Sequence, residues 1–277
     1  MKTVTLPDGE QLPALGMGTW MLGERPDRRS EEIAALQLGI DLGMKLIDTA
    51  EMYGDGDSES LIGEAIRGQR GKVFLVSKVY PYNAGRRSMG AACDASLRRL
   101  GTDCLDLYLL HWRGNVPLAE TVEAFERLRS AGKIRHWGVS NLDADDMQAL
   151  YGVPGGERCA SDQVLYNLSR RGVEWDLLPA CQARRIPVMA YSPLEQARLL
   201  KQPKLRELAA GIGATPAQIA LAWLLRNDGV LPIPKASDRR RVAENYAALD
   251  LELDTRTLAE LDRIFPAPGG PRPLEML

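Results

Sequence analysis

Short apolar runs alternate with longer stretches of helical character along most of the chain. The runs are LGMGTW, KLIDTA, VFLVSKV, LDLYLLHW, IRHWGVSN, CASDQVLYN, IPVMAYSP and GVLPIPK. Between most of them apolar residues recur at helical spacing, as at Ile33, Leu36 and Ile40, where Ser30 is the expected helix N-cap. Because neighbouring parallel strands need a long crossover, this alternation predicts a parallel sheet. Eight such strands in about 250 residues predict an α/β fold of the (β/α)8 TIM-barrel type.

A doubly wound dinucleotide-binding domain followed by a second domain is the main alternative architecture. Its fingerprint requires three glycines, and the chain has Gly16 and Gly18 but Met21 at the third position. No Pro-, Gly- or Ser-rich linker divides the sequence. We therefore predict one barrel domain over residues 1–277, with a short N-terminal β-hairpin that turns at Asp8 and Gly9 and a short C-terminal tail.

The composition argues against several classes of protein. Hydrophobic residues make up 45% of the chain, which excludes global disorder. The net charge of -2 gives no electrostatic reason to expect nucleic acid or an anionic membrane as partner. No apolar stretch reaches the roughly 18–20 residues that span a bilayer, and the beginning lacks the apolar region of a signal peptide. We expect a cytoplasmic protein.

Cysteine and histidine usage argues against a metal site. The four cysteines are scattered without a CxxC pair, which is typical of reduced thiols. The chain has two histidines, His111 and His136. Zinc and non-haem iron sites usually need more imidazoles or thiolates at metal spacing. We expect no catalytic metal.

Polar and aromatic side chains close nearly every apolar run. In a (β/α)8 barrel the chemistry takes place at the carboxyl ends of the strands, so these side chains would meet at one rim. Any one of them has an ordinary structural explanation as a turn, cap or edge residue. Together they predict a site formed by Trp20, Asp48, Lys78, His111, Ser140, Asn141, Gln163, Tyr191 and Lys235.

Four residues, Asp48, Tyr53, Lys78 and His111, suggest acid catalysis. A phenol has an ordinary pKa of about 10, and a neighbouring ammonium favours the phenolate and lowers that pKa. A carboxylate beside the ammonium keeps the lysine charged in a partly buried pocket. An imidazole can orient a carbonyl oxygen or relay a proton. Such a group suits protonation of an oxygen during carbonyl reduction, for which a cofactor must supply the hydride.

The successive motifs LGMGTW, LIDTAEMYG, FLVSKV, LDLYLLHW, GVSN, QVLYN, AYSPL and IPKASDRRRVAEN resemble the signatures of the aldo-keto reductase family. They occur in order over residues 15–245, and the chain is most similar to the bacterial members of methylglyoxal-reductase type. The resemblance implies reduction of aldehydes or ketones, with small reactive carbonyls such as methylglyoxal as plausible substrates. It also implies NADPH/NADP+ as the cofactor.

The resemblance also assigns roles to residues of the site. Tyr53 would be the general acid, supported by Lys78 and Asp48, and His111 would orient the substrate carbonyl. Trp20, Tyr80 and Trp112 would line the substrate pocket. Arg113 is expected to be a solvated loop residue, with binding of a substrate carboxylate as the alternative. The residues that would contact the cofactor are Gly18, Thr19, Trp20, Asp48, Ser140, Asn141, Gln163, Tyr191, Ser192, Pro193, Leu194, Ile233, Lys235, Ala236, Ser237, Arg241, Glu244 and Asn245.

Within this set, Ser140, Asn141 and Gln163 would bind the nicotinamide carboxamide. Tyr191 would stack on the nicotinamide ring, and residues 192–194 would pass the pyrophosphate. The segment from Lys235 to Asn245 would hold the adenosine phosphate, using a helix N-terminus. Ala236 departs from the family pattern, because many relatives have Ser or Thr there, and this removes one possible hydroxyl contact.

Two other functions stay open from the sequence. A barrel lyase could use Lys78 to form a Schiff base, although this leaves Tyr191 and the IPKASDRRRVAEN segment without a role. A redox-sensing subunit of the same fold would bind the cofactor without turnover. We expect a monomer whose partner is a small carbonyl compound.

Overall fold

The computed structural model describes residues 2–277 and begins with the predicted β-hairpin. Strand β1 (Thr3–Thr5) pairs antiparallel with β2 (Gln11–Pro13). Between them Gly9 has a φ of +97°, a left-handed conformation that favours glycine, and its N–H donates to the carbonyl of Leu6. The turn at Asp8 and Gly9 therefore forms as the sequence predicted.

The other described strands form one eight-stranded parallel sheet whose order follows the sequence. The carboxyl ends of these strands consequently lie at one rim. The strands are β3 (Met17–Gly18), β4 (Leu46–Asp48), β5 (Phe74–Val79), β6 (Leu105–Leu110), β7 (Ile134–Ser140), β8 (Asp162–Leu165), β9 (Val188–Tyr191) and β10 (Val230–Pro232).

Hydrogen bonds between the last and the first strand close this sheet into a barrel. The N–H of Gly16 donates to the carbonyl of Pro232 (3.0 Å) and that of Gly18 to the carbonyl of Pro234 (3.1 Å). A Cβ on Gly18 would lie 2.7 Å from the carbonyl oxygen of Ile233, so a side chain cannot be accommodated there. Gly16 and Gly18 thus form the seam of the barrel, where the first and last strands of the sheet meet. The predicted (β/α)8 fold is confirmed.

Helices cover the outside of the sheet, as the periodicity predicted. The first begins at Arg29, one residue before the expected cap Ser30; in the described part of the chain Arg28 occupies the cap position without a side-chain capping bond. The helices are α1 (Arg29–Leu42), α2 (Asp57–Ala65), α3 (Met89–Leu100), α4 (Leu118–Ser130), α5 (Ala144–Tyr151), α6 (Leu177–Ala183), α7 (Pro203–Gly211), α8 (Pro216–Leu225), α9 (Arg239–Tyr246) and α10 (Thr255–Ile264).

No single helix within residues 2–277 is long and apolar enough to cross a bilayer. The pair α7 and α8, bent by 85°, reaches that length and composition only when the two helices are taken together.

Asp162, the first residue of β8, is a buried carboxyl group outside the predicted site. Neither of its carboxylate oxygens has a hydrogen-bond partner among residues 2–277. Burial raises the pKa of Asp162 well above its ordinary range; the nearby backbone of Leu142 opposes this increase, and the charges of Asp146 and Asp143 add to it. The folded protein therefore keeps a proton that the unfolded chain releases above about pH 4, and stability falls as pH rises from there towards the raised pKa.

We expect Asp162→Asn to raise the free energy of unfolding at about pH 8 by about 1–3 kcal/mol, since the neutral amide removes the cost of protonating an acid that is ionised in the unfolded chain. The gain should shrink towards about pH 4, where the wild-type carboxyl is protonated in both states. Urea unfolding at the two pH values measures this. Asp41→Asn, at an exposed position of α1, is the control. A gain that is equal at both pH values would contradict the prediction.

Candidate active site

The structure brings the four predicted catalytic side chains together at the carboxyl ends of β4, β5 and β6. Asp48 ends β4, Lys78 lies near the end of β5, and His111 directly follows β6. Tyr53 begins a short 3-10 turn (Tyr53–Gly56) after β4. Lys78 Nζ donates to Asp48 Oδ2 at 2.8 Å and to the Tyr53 hydroxyl at 3.1 Å. A chain of hydrogen bonds therefore connects the partly buried phenol to the buried ammonium and carboxylate.

Lys78 is completely buried and also donates to the carbonyl of Thr49 at 2.8 Å. Burial alone would lower the pKa of Lys78, but Asp48 and Tyr53 together hold it above its ordinary value. A Schiff base requires a neutral, accessible amine. This charged and enclosed ammonium does not offer one, which argues against the lyase alternative.

The acidity of Tyr53 is set by opposing effects. Burial raises the pKa of Tyr53, Lys78 lowers it, and Asp48 raises it again, with a net result above the ordinary value. From the sequence, only a lowering of the Tyr53 pKa by Lys78 was expected. In the structure, burial raises this pKa by more than Lys78 lowers it. At neutral pH the phenol is protonated, as a general acid must be.

His111 faces Tyr53 edge-on, with ring centroids 6.0 Å apart and ring planes at 74°. Burial and the charge of Lys78 lower the pKa of His111 to about 3. Its Nδ1 is buried and has no hydrogen-bond partner in the described part of the chain. The imidazole is consequently neutral over the physiological range, and it can hydrogen-bond to a substrate oxygen without carrying charge.

Gln163 links this group to the predicted cofactor residues. Its Nε2 donates to Asp48 Oδ1 at 2.7 Å, opposite the lysine, so the amide helps to orient the carboxylate. The Ser140 hydroxyl donates to the backbone carbonyl of Gln163 at 2.7 Å. The resemblance gave Gln163 only a role towards the nicotinamide; its contact with Asp48 has no sequence signal, because the two residues lie on β8 and β4.

Asn141 and Tyr191 continue the same network towards solvent. The Tyr191 hydroxyl donates to Asn141 Oδ1 at 3.0 Å, and Asn141 Nδ2 donates to the His111 carbonyl at 3.1 Å. Asn141 has a φ of +58°, a left-handed conformation that asparagine tolerates better than most residues. The partly exposed Tyr191 ring and these amide groups can hold a flat, polar ring.

The loop after β9, which we call the β9 loop (residues 192–197), has an unusual backbone. Ser192, Glu195, Gln196 and Ala197 all have left-handed φ values, between +46° and +67°. Non-glycine residues adopt this region at a cost of roughly 1–3 kcal/mol each, so surrounding contacts must hold them. Pro193 is buried and Leu194 is half-buried. This backbone conformation was not predicted from the sequence.

The predicted phosphate segment gathers positive charge beside the barrel seam. Lys235 and Arg241 are exposed at the surface. Partial desolvation by the neighbouring groups lowers the pKa of Lys235, and the charges of Arg241 and Arg28 lower it further. Asp238 caps α9, since its Oδ1 accepts from the Arg241 N–H at 3.0 Å, and its Oδ2 lies 3.4 Å from Arg241 Nε. Closely spaced cationic side chains beside a helix N-terminus provide the hydrogen-bond donors that bind a phosphate group.

The remaining predicted cofactor residues lie around the same side of the rim. Thr19 is buried and donates to the backbone carbonyl of Asp48 at 2.8 Å. Gly18 forms the seam with Lys235. Ile233, Ala236, Ser237 and Asn245 are buried, and Glu244 is half-buried.

Aromatic rings form the wall of the predicted substrate pocket. Trp20 is 42% exposed, and Tyr80 meets Trp112 perpendicularly at 5.9 Å between centroids. Tyr82, which sequence reasoning missed, stacks on Tyr80 at 4.7 Å. Arg113 pairs with Asp146. It is therefore already neutralised, as expected of a solvated loop residue.

One cluster of potential metal ligands lies elsewhere among the described residues, between Asp8, Glu10 and His136. His136 Nε2 lies 2.8 Å from Glu10 Oε2, and Arg135 donates to both oxygens of Glu10 at 2.8 Å. The arginine already satisfies the Glu10 carboxylate. This cluster joins the hairpin to the amino-terminal end of β7, away from the rim.

Comparisons with known proteins agree with this geometry. Residues 14–265 match the Aldo/keto reductase family. The chain is 53% identical to methylglyoxal reductase YeaE of Escherichia coli (strain K12), covering 100% of this chain and 99% of that protein. Two crystal structures of an aldo-keto reductase from Klebsiella pneumoniae, one with NADP and acetate and one with NADPH, are 54% identical. They superpose with TM-scores of 0.97 and 0.98, again covering 100% of this chain and 99% of theirs.

Proposed function

The chain belongs to the aldo/keto reductase family, and on that premise we propose that it reduces small aldehydes and ketones with NADPH, using Tyr53 as the general acid. The family, the enzyme class and the cofactor were predicted from the sequence and are confirmed. The role of Tyr53 rests on one observation above all. Its hydroxyl stands at the end of a Tyr53–Lys78–Asp48 chain of hydrogen bonds.

Each member of this chain has a separate task in the proposal. The bound cofactor supplies the hydride. Tyr53 donates its proton to the carbonyl oxygen, and the charge of Lys78 stabilises the phenolate left behind. Asp48 keeps Lys78 charged and fixed. Neutral His111 holds the carbonyl oxygen by a hydrogen bond, so the oxygen and the phenol meet in a productive geometry.

The residues that would hold the cofactor fit its two ends. Ser140, Asn141 and Gln163 supply hydroxyl and amide groups for a carboxamide, and Tyr191 supplies a ring for stacking. Lys235, Ser237, Arg241 and Asn245 supply donors for the 2'-phosphate end. The contacts of Gly18, Thr19, Trp20, Asp48, Ser192, Pro193, Leu194, Ile233, Ala236 and Glu244 with the cofactor remain part of the same proposal.

Methylglyoxal is the substrate we propose to test first, because a relative 53% identical over its full length carries the name methylglyoxal reductase. Trp20, Tyr80 and Trp112 would enclose it. We further propose that residues 1–277 act as a single domain, as a monomer, in the cytoplasm. A continuous hydrophobic core from Val4 to Phe265 supports the first of these points.

The function is tested by following NADPH oxidation with methylglyoxal and a panel of other aldehydes and ketones. We expect steady turnover of methylglyoxal. Absence of turnover with every carbonyl, while NADPH still binds, would favour the sensing subunit. A borohydride-trapped adduct on Lys78 would favour the lyase.

The preference for NADPH over NADH gives a prediction for Arg241. Arg241→Ala should raise the Kd of NADPH by about 10-fold. This is the lower end of the range expected when a hydrogen bond to a charged group is lost, because Arg241 is exposed and also contacts Asp238. The Kd of NADH should stay unchanged. Quenching of protein fluorescence measures both. Arg240→Ala, one residue earlier on α9, is the matched control, and equal losses for both cofactors would remove Arg241 from the 2'-phosphate site.

A further inference from the structure

A buried ion pair lies behind the four catalytic side chains, between the sheet and the helices that follow β4 and β5. Glu59, in the first turn of α2, is completely buried. Its Oε2 accepts from Arg99 Nε of α3 at 2.6 Å, and its Oε1 accepts from the Ser77 hydroxyl of β5 at 2.6 Å. One oxygen of this carboxylate therefore contacts a helix, and the other contacts the sheet.

The two ends of this ion pair reach the segments that carry the proposed acid and its lysine. Ser77 directly precedes Lys78 on β5. Arg99 lies against the end of the 3-10 turn Tyr53–Gly56, because a Cβ on Gly56 would lie 2.5 Å from Arg99 Cδ. Gly56 also has a φ of +98°, which favours glycine. The pair thus joins the turn of the phenol to the strand of the ammonium.

The packing around Arg99 leaves little room for adjustment. A Cβ on Gly63 of α2 would lie 2.7 Å from the Arg99 carbonyl oxygen, so α2 and α3 are in direct contact at this point. Arg99 Nη2 also donates to the Ser96 hydroxyl at 3.3 Å. The arginine is therefore held at its backbone and at its guanidinium. Such close-packed contacts transmit small displacements, because protein interiors have low compressibility.

The hydrogen bond between Lys78 Nζ and the Tyr53 hydroxyl, 3.1 Å long, crosses from one of the joined segments to the other. Its length therefore depends on how the Tyr53 turn sits relative to β5. The charges of Glu59 and Arg99 are opposite and adjacent, so they largely cancel at the distance of the phenol. The ion pair can consequently influence the acid through its position.

We propose that Arg99 and Glu59 are positioning residues for carbonyl reduction, whose ion pair seats the Tyr53 turn against β5 and thereby maintains the hydrogen bond between Tyr53 and Lys78. The inference rests on the proposed function, in which Tyr53 is the general acid. Misplacement of a reacting group by about 1 Å can lower a rate on the order of 10²-fold. Because Lys78 is also held by Asp48, we expect a smaller effect here.

Arg99→Met removes the guanidinium and keeps an unbranched side chain against Gly56. We expect kcat with methylglyoxal to fall by about 10-fold, while KM and the Kd of NADPH stay unchanged, because substrate and cofactor do not contact this ion pair in the proposal. Arg99→Lys should recover most of kcat, since its ammonium can still pair with Glu59. Ser77→Ala, which removes only the link to β5, should cause a smaller loss. Arg98→Met, at an exposed neighbouring position of α3, is the matched control.

A double-mutant cycle separates positioning of the acid from general damage. Added to Tyr53→Phe, Arg99→Met should lower kcat by less than about 2-fold, because the hydroxyl that it positions is already absent. The hydrogen bond can also be followed without substrate, from the carbon-13 resonance of the Tyr53 ring carbon that bears the hydroxyl. Its loss in Tyr53→Phe assigns this resonance. It should move in Arg99→Met, return in Arg99→Lys and stay in place in Arg98→Met.

An unchanged kcat in Arg99→Met, a loss equal to that of Arg98→Met, or the same fold loss with and without the Tyr53 hydroxyl would each overturn the proposal. If Arg99→Met fails to fold, its combination with Glu59→Gln leaves no buried charge unpaired and replaces it in every measurement. Absence of carbonyl turnover by the unaltered protein would count against the proposed function. The Tyr53 resonance would then decide the positioning role, and an unmoved resonance in Arg99→Met would overturn it.

Discussion

Tyr53→Phe is expected to lower kcat for carbonyl reduction by about 10²–10⁴-fold and to leave the Kd of NADPH unchanged. The substitution removes the hydroxyl that hydrogen-bonds to Lys78 Nζ and keeps the ring that faces His111. Folding should therefore survive. Steady-state kinetics with methylglyoxal and fluorescence titration with NADPH measure the two quantities.

Tyr80→Phe provides the matched control, since Tyr80 lies in the same rim but outside the hydrogen-bonded chain. It should change KM more than kcat. Near-full aldehyde reduction by Tyr53→Phe would show that another group donates the proton. Equal losses in both tyrosine variants would indicate that ring packing, rather than acidity, is responsible.

Lys78→Met is expected to lower both the stability and the activity of the protein. It leaves Asp48 buried without its counter-ion, and breaking a buried pair in this way typically costs about 3–5 kcal/mol. It also removes the charge that stabilises the Tyr53 phenolate. Urea unfolding and methylglyoxal kinetics measure the two losses. Lys133→Met, which breaks the partly exposed pair with Asp94, should cost less than about 1 kcal/mol.

Two double variants separate these effects. Asp48→Asn combined with Lys78→Met should recover most of the stability, because no charge is left buried and the new amide oxygen can still accept from Gln163. It should recover none of the activity. Tyr53→Phe with Lys78→Met should be little worse in kcat than the worse single variant, since the two groups act as one unit. Fully multiplicative losses would show that Tyr53 and Lys78 act independently.

The fold and the residues of the site could be predicted because, in a parallel barrel, the order of the strands in the sequence determines where each strand lies. Asp48, Lys78 and His111 each follow an apolar run, and the carboxyl ends of successive parallel strands must meet at one rim. The sequence motifs then identified the family and the cofactor. The catalytic and cofactor-binding roles of individual residues stay predictions until the variants above are measured.

The contacts that could not be predicted join loops whose conformation follows no repeating pattern. Arg170, in the turn after β8, donates to Glu195 of the β9 loop, whose non-glycine residues adopt left-handed backbone. The pKa of Tyr53 depends on how deeply the phenol is buried, and a sequence does not show how deep that burial is. For the same reason the sequence analysis did not identify Asp162, whose two carboxylate oxygens are buried without a partner in the described part of the chain.

The seam between Gly18 and Lys235 also has a consequence for the order in which the protein matures on the ribosome. Strand β3 cannot complete its pairing until β10, near the other end of the chain, has been synthesised and docked. Until then β3 and the strand most recently added to the sheet expose unpaired backbone, a state prone to wrong association. The segment that carries Lys235 and Arg241 is translated after β10, so a nascent chain would acquire Tyr53 and Lys78 early and the 2'-phosphate donors late. Such a chain could recognise NADPH only once its barrel is complete.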